Sequence, residues 1–111
     1  MLIRYSPQRA DRQLSYAFPD RDVIEATLDG VTDRFDFTGL PDGAEAVDIQ
    51  SILDPCPVLS VRRVNGRLEV TLLRFLPAPP RREDYELDAE YEAALREYNR
   101  LAFQEPQTVW E

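Results

Sequence analysis

Two dipeptides constrain this chain more than anything else in it. Asp29-Gly30 separates β-rich residues 22–28 from 31–37, and Asn65-Gly66 separates 58–64 from 67–75. A two-residue loop that follows the right-handed twist of its strands needs positive φ at both central residues, which Asp-Gly and Asn-Gly tolerate. Two type I′ hairpins are therefore predicted, each with a definite register. In the first, Leu28 opposes Val31, Ala26 opposes Asp33 and Ile24 opposes Phe35, and Phe37 extends this apolar face. Thr27 with Thr32 and Glu25 with Arg34 occupy the other face. In the second, Val61 opposes Val70, Leu59 opposes Leu72 and Arg63 opposes Leu68. Arg62 with Glu69, Ser60 with Thr71 and Val58 with Leu73 lie on the opposite face. Cross-strand pairs of these types are stabilising.

Two strands alone are marginal, so the short β-rich stretches at 2–5 and 14–18 are expected to join them in a mostly antiparallel sheet. Ser6-Pro7 is expected to end the first, because proline cannot donate to a ladder. Between the hairpins, Gly39, Pro41 and Gly43 mark a loop. Ala46, Val47, Ile49, Ile52 and Leu53 then have the spacing of a short middle helix, stopped at Asp54-Pro55. Residues 77–82 read as a stiff Pro-rich connector. Beyond it, 83–103 carries Leu87, Tyr91, Ala94, Leu95, Tyr98, Leu101 and Ala102 at helical spacing. The chain thus reads as α+β: a β body over 1–76, the connector 77–82, and an acidic C-terminal amphipathic helix and tail over 83–111, all within one domain.

Composition narrows function more than fold. The basic residues among the 111 are thirteen arginines, with no lysine and no histidine. That excludes Schiff-base chemistry, Ser-His-Asp triads and histidine metal sites. Cys56, the single cysteine, lies between two prolines and lacks the basic setting that activates a thiol. No serine has a nucleophile-elbow context, and no glycine-rich phosphate loop occurs. No catalytic, cofactor or metal residue is assigned, and the chain is read as non-enzymatic. With no apolar run of about 18 residues and no leader-like start, it is expected to be cytoplasmic at synthesis, without a membrane segment.

The net charge of −8 is concentrated at one end, residues 83–111 having nine acids and two arginines. Nucleic-acid binding needs a positive face and is disfavoured. Glu86, Glu90 and Glu97 can share a helix side, either as a solvated face or as a contact for a cation or an arginine-rich partner. Asp33, alone among apolar neighbours, is either a carboxyl of raised pKa, a sheet-edge residue or an arginine partner. Arg62, Arg63, Arg67 and Arg74 form a basic patch whose expected use is structural salt bridging, with the acidic helix as one candidate partner. The stripe of Tyr91, Leu95, Tyr98 and Leu101 is either the helix's own packing face or a docking face, with Trp110 as a further anchor or as a residue folded back on the sheet.

Ile3-Arg4-Tyr5-Ser6-Pro7-Gln8-Arg9, Leu14-Ser15-Tyr16, Phe35-Asp36-Phe37, Leu40-Pro41-Asp42-Gly43 and Val64-Asn65-Gly66-Arg67-Leu68 followed by Leu72-Leu73 resemble small uncharacterised proteins of tailed phages and prophages, encoded near tail genes. The likeness covers about residues 1–80, and 83–111 departs from it. It implies a tail-module accessory or structural protein acting through protein–protein contacts, with a tail component or a second copy as partner, and a place in the virion after assembly. The acidic tail raises an alternative, a decoy that inhibits a host nucleic-acid-binding protein.

Overall fold

The protein is described by a computed structural model over residues 1–102 and 105–110. Its strands are β1 (Leu2–Arg9), β2 (Leu14–Asp20), β3 (Val23–Leu28), β4 (Val31–Asp36), β5 (Glu45–Ala46), β6 (Val58–Val64), β7 (Arg67–Leu76) and β8 (Gln107–Thr108). A 3₁₀ turn (Arg82–Asp84) precedes the helix α1 (Asp88–Ala102). The expected mostly-sheet α+β architecture is what the chain adopts. The strands, however, form two sheets: β5-β6-β7-β1-β8, and the antiparallel meander β2-β3-β4.

Both hairpins form. The first has the register expected from its loop at every pair from Val23↔Asp36 to Leu28↔Val31. Asp29 and Gly30 have φ of 49° and 86°, and Asn65 and Gly66 have 51° and 77°. The second hairpin keeps its expected pairing from Ser60↔Thr71 to the turn. It then shifts register, so that Val58 opposes Leu72 instead of Leu73, and Leu59 does not oppose Leu72. The extra residue is a bulge. It turns Leu59 outward while Val58 enters the core, at 38% and 1% exposure respectively.

Three further expectations are corrected. First, β1 does not stop at Ser6-Pro7: it runs to Arg9 and pairs with β7 in parallel, from Leu2↔Glu69 to Arg9↔Leu76. Proline is tolerated because the Ala10 N–H donates to Leu76 O, and backbone groups alternate sides along a strand. The Pro7 nitrogen therefore faces the other edge, where β8 pairs only with Leu2 and Ile3. Second, the middle helix does not form. Residues 44–53 contain the two-residue strand β5 against β6, followed by bends. Of its apolar residues only Leu53 is buried, while Val47 and Ile52 face solvent. A helix would need all of them on one covered face. Third, the C-terminal helix begins at Asp88, and Phe103, the end of the expected helix, lies outside the described residues.

One core cluster joins the two sheets. Ile24, Ala26, Leu28 and Phe35 come from the meander, and Ile3, Val58, Val61, Leu68, Val70 and Leu72 from the larger sheet. Arg63 ties the same layers together at their polar margin. Its Nε donates to Leu40 O at 2.6 Å, its two terminal nitrogens donate to Phe37 O at 2.9 Å and Gly66 O at 3.2 Å, and its guanidinium pairs with Asp22 at 3.4 Å.

Helix α1 stands apart from this body. Among the described elements, its only substantial contact is with the 3₁₀ turn before it, and none of its described residues is buried. The Cα radius of gyration is 16.5 Å, against about 13 Å for a compact domain of this length. After α1 the chain returns: β8 pairs antiparallel with the start of β1. Met1 and Val109 exchange backbone hydrogen bonds at 2.7 and 3.0 Å. The acidic segment is therefore an excursion between β7 and β8, held at both ends.

Candidate functional site

The sequence-derived anchors divide into two places. Tyr91, Leu95, Tyr98 and Leu101 lie along one side of α1, all partly buried, with Ala94 and Ala102 between them. At roughly 100° per residue these positions span about a third of the helix circumference. By the same phase, Asp88 and Glu92 border the stripe on one side and Glu90 and Glu97 on the other. Arg96 and Arg100 fall on the far face. Within α1, Glu97 pairs with Arg100 at 2.5 Å, which holds the Glu97 carboxyl below its usual pKa. Before it, Arg82 grips Asp88 and the Tyr85 ring leans on Tyr91 at 6.0 Å, so the entry to the helix is ordered by its own contacts.

Trp110 is not part of that stripe. It sits beyond β8, beside Met1, Arg21 and Leu68, and its indole N–H donates to Phe18 O at 2.9 Å. About half of its surface is exposed. It fastens the returning chain to β2, which is the folded-back placement of the two weighed from sequence.

The other sequence-derived candidates have structural partners. Asp33 accepts hydrogen bonds from the Ser51 hydroxyl at 2.7 Å and the Ile52 N–H at 3.2 Å. These bonds hold its carboxyl below the usual pKa, Ser51 contributing most. The carboxylate thus clamps the 51–52 bend to β4; it is neither a raised-pKa acid nor an arginine partner. Replacing Asp33 by alanine is expected to lower stability by about 1 kcal/mol at neutral pH, read by urea unfolding. Because the folded pKa is depressed, that contribution is present above the ordinary carboxylate range and lost as pH falls through the folded value. The gap between wild type and variant should therefore close in acid.

The basic patch does not reach the acidic helix in any described ion pair. Arg62 shares Glu69 with Arg4, Arg63 takes Asp22, and Arg74 lies over the Tyr5 ring at 5.6 Å. Cys56 points its thiol at Val58 O, and burial pushes its pKa up. Among the described residues no three His, Cys, Asp or Glu side chains converge as metal ligands, so Glu86, Glu90 and Glu97 form no such group. No helix of the described residues is long and apolar enough to cross a membrane.

Sequence reasoning missed one feature, a solvent-open cleft of about 370 Å³ between β2 and the β1–β7 pair. Its walls include Tyr5, Tyr16, Phe18, Arg74 and Phe75. The alternation of Leu14, Tyr16 and Phe18 hinted at an aromatic face, but only the parallel pairing of β1 on β7 brings Tyr5 and Arg74 opposite it.

Comparison with protein-family models, with curated proteins and with solved structures finds no match to this chain.

Proposed function

We propose that the protein is a non-enzymatic adaptor that docks a protein partner on the Tyr91–Leu95–Tyr98–Leu101 stripe of α1. The observation that carries this reading is the helix itself: an ordered apolar stripe, none of it fully buried, on a helix that makes few contacts with the sheets. Partly exposed tyrosines at i and i+7 are the anchors of a helix laid in a groove. The carboxylates on both margins favour a groove that is apolar along its floor and arginine- or lysine-bearing at its rim. They disfavour a second copy, whose stripe would bring like charges together. The likeness of residues 1–80 to tail-module proteins supplies the setting, an accessory or structural protein of a phage or prophage.

The test is retention of partners from cells with an induced prophage, using the full chain and a Tyr91→Ser/Tyr98→Ser variant. Tail components held by the wild type and lost at least about tenfold in the variant support the proposal, since two anchors each contribute more than about 1 kcal/mol. Equal retention by both chains refutes it. A host nucleic-acid-binding protein that ignores the tyrosine changes, and is released by roughly 0.5 M salt as surface ion pairs are, would transfer the role to the acidic margins and to the decoy reading.

A further inference from the structure

We propose that the cleft between β2 and the β1–β7 pair binds a small planar aromatic molecule carrying one anionic group, a carboxylate or a phosphate. Its volume of about 370 Å³ falls in the range of small-ligand pockets, roughly 300–1,000 Å³. Tyr5, Tyr16, Phe18 and Phe75 wall it, and all four are only partly buried although they pack on the core. Rings left partly wet around one hollow offer faces on which a further ring can stack or tilt.

The walls are held in place before any ligand arrives. The Tyr16 hydroxyl donates to Leu73 O, tying β2 to β7. The Tyr5 hydroxyl donates to the Gln107 side chain at 3.2 Å. The Tyr5 and Tyr16 rings lie 6.3 Å apart, tilted by 48°. Binding therefore costs little side-chain ordering.

Arg74 sets the charge of the ligand. Its guanidinium rests over the Tyr5 ring at 5.6 Å, a cation–π contact that positions the group without using its N–H donors. Arg12, Arg62 and Arg63 each have a carboxylate within ion-pair distance. Arg74 has none among the described residues. Its planar fork is free to take a carboxylate or phosphate with two parallel hydrogen bonds. Ser15 also borders the hollow, on β2. The net negative charge of the chain belongs mainly to residues 83–111, and at physiological salt it is screened beyond about 8 Å.

The proposal does not depend on the helix docking described above. Its test is a titration of the full chain followed by amide NMR shifts. The probes are adenosine 5′-monophosphate and N-acetyl-phenylalanine, each with its neutral counterpart, adenosine and N-acetyl-phenylalanine amide. At least one anion is expected to shift the Ser15, Tyr16 and Phe75 amides with a dissociation constant below about 1 mM. Its neutral counterpart should bind at least about tenfold more weakly, the loss of one charge-assisted contact. Arg74→Gln should erase that preference, whereas Arg96→Gln, on the far face of α1, should leave it intact. Response to only one of the two anions identifies the group the cleft takes. The proposal is overturned if neither anion shifts these amides by about 5 mM, if the neutral molecules bind equally well, or if Arg74→Gln keeps the preference.

Discussion

Arg63→Met is expected to lower the unfolding free energy by about 3 kcal/mol, the scale on which removing one partner of a largely buried pair acts. The residue carries this weight because its side chain is only 12% exposed, and Asp22 opposite it 17%. Three carbonyls, at Phe37, Leu40 and Gly66, take their hydrogen bonds from the same guanidinium. Methionine preserves the apolar stem but leaves these acceptors and a largely buried carboxylate without their donor. In a domain of this size the loss corresponds to a midpoint some 10–15 °C lower in a thermal melt. Arg63→Lys should recover little, since a single ammonium cannot point at three carbonyls and a carboxylate together. A methionine variant within about 1 kcal/mol of wild type would show that the two sheets are held by their apolar faces alone.

That role could not be read from the chain. Arg63 was placed correctly opposite Leu68 by the Asn65-Gly66 loop, because a two-residue turn sets register without any tertiary information. What it would reach depended on where the 37–40 loop and Asp22 pass, and these are long-range facts. The same division explains the rest of the fold. Local turn chemistry was enough for the meander register from Val23 to Asp36 and for the turn-proximal half of the second hairpin. It failed at Leu59, where a bulge lets Val58 rather than its neighbour enter the core. It failed at 44–53 too, where apolar spacing suggested a helix but Asp33 captures Ser51 and Ile52 from another strand. Pro7 resembles a terminator in the sequence because the edge its nitrogen faces depends on where β7 pairs.

The candidate site was legible to a similar depth. The stripe on α1 follows from helical period alone, and its residues share one face. The separation of Trp110 from that stripe was not legible, since Gln107-Thr108 gives no sign of a strand: both residues are exposed and two residues make no pattern. The aromatic cleft needed the parallel β1–β7 pairing, which joins strands far apart in the chain.

The return of the chain through β8 yields the second large effect, one that separates docking element from core. A chain ended after residue 102 is expected to be about 3 kcal/mol less stable than the full protein. It loses the pairing of Gln107 and Thr108 with Ile3 and Leu2, both Met1–Val109 hydrogen bonds and the Trp110–Phe18 bond. Each such bond contributes about 0.5–1.5 kcal/mol net. Met1 and Ile3, now 3% and 0% exposed, would lose cover as well. Replacing residues 78–104 by a twelve-residue Gly/Ser linker should behave oppositely. Leu76 lies beside Arg9 and Gln107 beside Ile3. The gap is therefore about 22 Å, six residues along β1 and two strand spacings across it, and twelve flexible residues span it with slack. This variant keeps the latch and deletes only the helix, so its unfolding midpoint in urea should stay within about 1 kcal/mol of wild type while partner retention disappears. Were the linker variant to unfold, α1 would be a packing element and its stripe no docking surface. Were the truncated chain as stable as the full one, the latch would carry no stability. A stable, partner-free linker variant beside a weakened truncation would place binding in the excursion and folding in the strands that anchor it.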